Sequence, residues 1–143
     1  MKVVLVLFLL LGGFSGQTLA ENRGESAMDC LIVSDGAEQP SGVEIVFTNQ
    51  CDEQIFMLWC GELQFSERRC GDGPNGGFYT QSDNLQANAS NEIRIKAGTS
   101  YHYAACYGGI SFGNSGEYTD NPDGGFVCLP TGSYKQDSEE NGQ

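Results

Sequence analysis

The side chains able to do chemistry are many in kind and few in arrangement. Gly109-Ile-Ser-Phe-Gly113 has the G-x-S-x-G form of a nucleophile elbow around Ser111. That motif works on a strained strand-to-helix turn, with the acid and the histidine following the serine. Here His102, the single histidine, precedes it, and no helical periodicity follows. Ser111 is therefore expected to be a loop serine, and His102 a strand histidine with an ordinary hydrogen bond. Glycoside hydrolysis needs two placed carboxylates, and nothing in the spacing of the 19 acidic residues selects a pair. No glycine-rich loop opens a helix to hold phosphate. The expectation is a non-catalytic chain without a cofactor.

Residues suited to binding are easier to find. Asp72-Gly-Pro-Asn-Gly-Gly-Phe78 and Asp120-Asn-Pro-Asp-Gly-Gly-Phe126 share the form D-x-P-[ND]-G-G-F. Proline presets φ, Asn or Asp tolerates the left-handed region, and glycine enters it freely, so both segments read as turns. Asp72, Asn75, Asp120 and Asp123 also make them a candidate cation site. Calcium takes about six to eight oxygens; neither turn alone offers enough, and neither has EF-hand spacing. Tyr101, Tyr103 and Tyr107 share one face of a strand by their even spacing, an aromatic patch for a sugar or protein if exposed. Arg68-Arg69 lies between two cysteines, placed like the anchor of an inhibitory loop. Asn88-Ala-Ser90 is an N-glycosylation acceptor.

The elements that must position these residues are strands. Val43–Thr48 is rich in β-formers, Ile55–Cys60 is apolar on both faces and so central, and Asn91–Lys96 alternates with Ile93 and Ile95 inward. Further candidates are Cys30–Val33, Phe78–Thr80, Ser100–Tyr107 and Phe126–Leu129, with one helical turn allowed in 82–91. Short strands separated by Gly, Pro, Asn and Asp indicate an all-β chain, a small disulfide-stabilised antiparallel β-sandwich or barrel.

Ahead of these strands, Lys2, the apolar run Val3–Leu11 and small residues at Thr18 and Ala20 have the order of a secretory signal peptide, placing cleavage after Ala20. The run is too short to span a bilayer. Residues 21–29 are expected to be a flexible lead-in, 30–130 the β domain, and 131–143 a disordered acidic tail. The location implied is secreted or periplasmic, with no membrane span. A net charge of −12 disfavours nucleic acid and leaves a protein, a carbohydrate or a cation as partner.

All six cysteines, Cys30, Cys51, Cys60, Cys70, Cys106 and Cys128, follow the signal, and an even count in an exported chain reads as three disulfides. An extended Gln54–Cys60 separates Cys51 from Cys60 by more than roughly 15 Å, too far for a bridge. The expected pairs are Cys60–Cys70, Cys51–Cys106 and Cys30–Cys128, one of about 15 possible connectivities.

The segment V-F-T-N-x-C51, I-F-M-L-W-C60, C70 and Y-x-Y-A-A-C106-x-G resembles a group of small exported bacterial β proteins of uncharacterised role. N-x-C before an apolar strand is also similar to thaumatin-like β-sandwiches, over less of the chain. The first resemblance implies a disulfide-held β domain and no particular activity. The functional expectation is a secreted binding or interaction domain. The alternatives are an acidic matrix-type protein that binds calcium or mineral, and a small secreted enzyme inhibitor.

Overall fold

The computed structural model describes residues 20–110 and 117–131. Residues 1–19 of the expected signal peptide, Ser111 and the residues beyond Thr131 lie outside the described residues. The strands are β1 (Leu31–Gln39), β2 (Gly42–Asn49), β3 (Ile55–Gly61), β4 (Gln81–Leu85), β5 (Ser90–Ile95), β6 (Tyr101–Tyr107), β7 (Tyr118–Asp120) and β8 (Phe126–Cys128). They form three antiparallel sheets, ordered β1-β2-β5, β4-β3-β6 and β7-β8. The chain is all-β, and among the described residues no barrel closes. No helix among them is long and apolar enough to cross a membrane.

β3 explains the layering. Every residue of Ile55–Gly61 is buried, which requires cover on both faces. Ile55, Met57 and Trp59 face the first sheet and pack with Ile45, Phe47, Ile93 and Ile95. Phe56, Leu58 and Cys60 face the other way and pack with Tyr79, Cys106 and Cys128. A continuous apolar run is thus the signature of a middle strand. Phe47, fully buried, is the centre of the inner core, with Trp59 at 6.5 Å and Tyr103 at 5.4 Å between ring centroids.

Several elements differ from the sequence reading. β1 continues through Ser34-Asp35-Gly36, because a bulge between Asp35 and Glu38 absorbs the turn-forming residues at an exposed sheet edge. Residues 82–85, the start of the 82–91 stretch allowed one helical turn, lie in β4, whose pairing with β3 outweighs weak local preference. Residues 21–29, expected as a lead-in, hydrogen-bond to the β domain. Ala27 N–H donates to Ala105 O at 2.9 Å and Tyr107 N–H to Glu25 O at 3.1 Å, along the outer edge of β6. Asn22 is buried; its Nδ2 donates to Glu117 O at 3.0 Å, and its amide to Thr131 Oγ1 at 2.8 Å.

The disulfides are Cys30–Cys51, Cys60–Cys70 and Cys106–Cys128. The Cys60–Cys70 expectation agrees; Cys51–Cys106 and Cys30–Cys128 are corrected. Register decides it: Leu31 opposes Asn49, so Cys30 sits across the open end of the β1–β2 hairpin from Cys51. Asn49 fixes that end, accepting from Cys51 N–H at 3.0 Å and donating Nδ2 to Glu53 O at 2.8 Å. The asparagine of the N-x-C motif is therefore a structural clasp.

A candidate binding surface at the Cys60–Cys70 loop

After β3 the chain leaves the middle sheet and crosses to the first. Leu63 is buried and bridges Ile95, Lys96 N–H donates to Glu62 O at 2.8 Å, and Gln64 N–H to Arg94 O at 2.9 Å. Residues 62–64 thereby cover the free edge of β5. The following residues then stand away from the body, and Phe65 is 85% exposed. The return is held by the Cys60–Cys70 bridge and by Asp72, whose Oδ2 accepts the Arg69 amide at 2.8 Å.

Beside Phe65 lies a groove of about 350 Å³ lined by Trp59, Leu63, Gln81, Ile93 and Arg94. It continues toward Glu44, which pairs with Arg94 at 3.4 Å. The lining mixes apolar side chains with Gln81, Glu92 and Arg94, a composition suited to an amphipathic ligand. Arg68 and Arg69 stand exposed on the return. Arg69 Nη1 lies 3.8 Å from Glu62, whereas Arg68 has no ion pair among the described residues.

The other predicted residues fall elsewhere. Tyr101, Tyr103 and Tyr107 share a face, but it is the inner face of β6, and all three are half-buried against the core. Tyr101 and Tyr103 stack at 5.9 Å, and both meet Phe47 edge-on. Burial raises the Tyr101 pKa, with Asp35 and Tyr103 adding to it. Tyr107 receives Arg23 over its ring at 4.4 Å. His102 is exposed on the opposite face, its ring edge-on to Phe78. Asn88 is exposed in the β4–β5 turn with φ of 60°.

The two D-x-P-[ND]-G-G-F segments meet. Asp120 reaches from the end of β7 to accept the Phe78 and Tyr79 amides on one oxygen, the latter at 2.9 Å. Asn75 and Asp120 both line a small cleft between the segments. Asp72 is turned to Arg69, and Asp123 is exposed at the tip of the β7–β8 hairpin. Among the described residues no three His, Cys, Asp or Glu are grouped to hold a metal.

Phe65 and the groove were missed by sequence reasoning. One signal was present: a lone aromatic in the otherwise polar stretch Gln64-Phe-Ser-Glu67. Compared with family models, curated proteins and solved structures, the chain matches none. The three disulfides implied by the sequence resemblance are present, without a family to support the resemblance itself.

Proposed function

We propose that this chain is an exported, non-catalytic binding domain that takes a protein partner on the Cys60–Cys70 loop and its groove. The observation that carries this is Phe65, 85% exposed on a disulfide-closed loop. An isolated exposed apolar side chain is ordinary. This one lines a groove of mixed apolar and polar side chains, and the exposed Arg68 and Arg69 follow it in the same disulfide-closed loop; aromatic and arginine anchors dominate protein interfaces. Rigid closure of the loop lowers the ordering cost of association. Three disulfides are compatible with an extracellular or periplasmic location, and the signal-like N-terminus supports export. A matrix-type role through Asp72, Asn75, Asp120 and Asp123 has less support, because Asp120 already serves two backbone amides.

The test replaces Phe65 by a photo-crosslinking phenylalanine analogue, with the same replacement at exposed Val127 as control. A discrete protein adduct formed outside the cell from position 65 alone is the expected result. No adduct, or the same adducts from both positions, would remove the reading. Sequencing the exported product checks the address: its N-terminus should be Glu21.

A further inference from the structure

We propose that the Cys60–Cys70 loop is a substrate-like inhibitory loop for an endopeptidase whose primary pocket accepts arginine against a carboxylate floor. Arg68 is the anchor, and Arg68–Arg69 the peptide bond presented to the enzyme's nucleophile. This rests on the reading of the loop as a protein-binding surface and names the class of partner.

Which arginine enters the pocket follows from their neighbours. Arg69 is drawn back to Glu62 at the neck of the loop. Arg68 is exposed, with no ion pair among the described residues, and its amide is held by Ser66 Oγ at 3.2 Å. Its backbone is thus organised while its guanidinium is presented outward. The acidic chain, of net charge −12, attracts an enzyme with a positive surface, and Arg68 complements the acid at the pocket floor.

Why the loop would inhibit rather than be consumed follows from what holds the leaving group. Attack on the Arg68 carbonyl carbon forms an acyl bond to the enzyme and breaks the bond to the Arg69 nitrogen, which takes up a proton as the free amine. That nitrogen is the one whose N–H is bound by Asp72 Oδ2 at 2.8 Å. Arg69 is also linked through adjacent Cys70 to Cys60, and its side chain is paired with Glu62. The Asp72 N–H is bound in turn to Arg69 O at 3.0 Å, and Gly71 N–H to Phe78 O at 2.8 Å. The amine therefore stays beside the acyl carbon, at the high effective concentration that favours re-forming the peptide bond over hydrolysis. Asp72, considered from sequence as a cation ligand, acts in this proposal as a positioning residue.

The experiment titrates trypsin with the oxidised, exported protein and follows both residual activity and the mass of the chain. Tight inhibition with the chain largely intact is expected. Arg68→Ala should weaken inhibition by about thirtyfold or more, the scale of an interface hot spot, and Arg68→Lys should retain most of it. Asp72→Ala should still bind but turn over, gaining the mass of one water at Arg68–Arg69. Absence of inhibition overturns the proposal, as does cleavage of the wild type at the rate of an ordinary peptide, or inhibition that survives Arg68→Ala. Any of these leaves the Phe65 crosslink intact as the separate test of the binding surface.

Discussion

Two segments of one sequence form, 72–78 and 120–126, have been given different work. In each the fifth residue, Gly76 or Gly124, sits at positive φ, 81° and 88°. Each also lies close to a disulfide, since Cys70 precedes the first and Cys128 follows the second. The first aspartate, Asp72, caps a local amide in the exposed return of the Cys60–Cys70 loop. Its counterpart Asp120 crosses to the other segment and holds its last peptides against the middle sheet. The same sequence form thus serves a surface loop in one place and a layer contact in the other. The difference comes from the surroundings, because Phe126 lies between Tyr79 and Tyr118 in the outer core.

Predictions follow that contrast, and the largest concerns the bridges. Replacing Cys106 and Cys128 together by Ala releases the outer hairpin from β6 and should cost about 3–4 kcal/mol. The Cys60→Ala, Cys70→Ala pair closes a shorter loop and should cost less, about 2–3 kcal/mol by the same chain-entropy reasoning. Urea unfolding of the two variants measures the gap. Reversal of that order would show that the outer hairpin does not depend on its bridge.

Next comes the aspartate pair. Asp120→Ala removes a carboxylate that accepts two amides in a half-buried setting and should cost about 2–3 kcal/mol. Asp72→Ala removes one exposed acceptor and should cost under about 1 kcal/mol. Equal losses in chemical denaturation would erase the distinction drawn between the segments.

The matched glycines give a finer comparison. A Cβ at Gly76 meets no atom within 4 Å, so Gly76→Ala carries only the left-handed penalty of about 1–2 kcal/mol. At Gly124 the same penalty applies, and the Cβ also lies 3.3 Å from the Phe78 ring. Gly124→Ala should therefore lower the melting temperature further than Gly76→Ala.

The smallest effect is a pH response of the outer-layer tyrosines. Burial raises the Tyr79 and Tyr118 pKa values above the ordinary 10.0, and the nearby Asp120 charge raises them further, with Glu117 adding to Tyr118. A phenol with a raised folded pKa contributes stability that is complete below about pH 10 and is lost as pH climbs through the raised value. Melting temperatures should fall above about pH 10, and less steeply in Tyr79→Phe or Tyr118→Phe. An unchanged slope in both variants would place the pH response elsewhere, with Tyr101 on the inner face as the next group to replace.

Much of the architecture could be read along the chain, because alternation and composition are local. Ile93 and Ile95 point inward in β5 as their spacing requires, and the unbroken apolar run of Ile55–Cys60 announced a strand covered on both sides. The candidate site was half legible. Cys60–Cys70 and Arg68-Arg69 were visible as a short loop with a basic return, whereas the groove draws Trp59, Gln81 and Ile93 from three strands.

What the sequence by itself determined is the all-β class, the acidic surface, the turns and the nearest disulfide, each set by side-chain periodicity, charge count or short chain separation. Only the tertiary structure decided the remaining two disulfides, the inward facing of the tyrosines and the divergence of the twin turns. These depend on strand register and on which layer covers which face, and a residue's own neighbours in sequence carry no energy term for either.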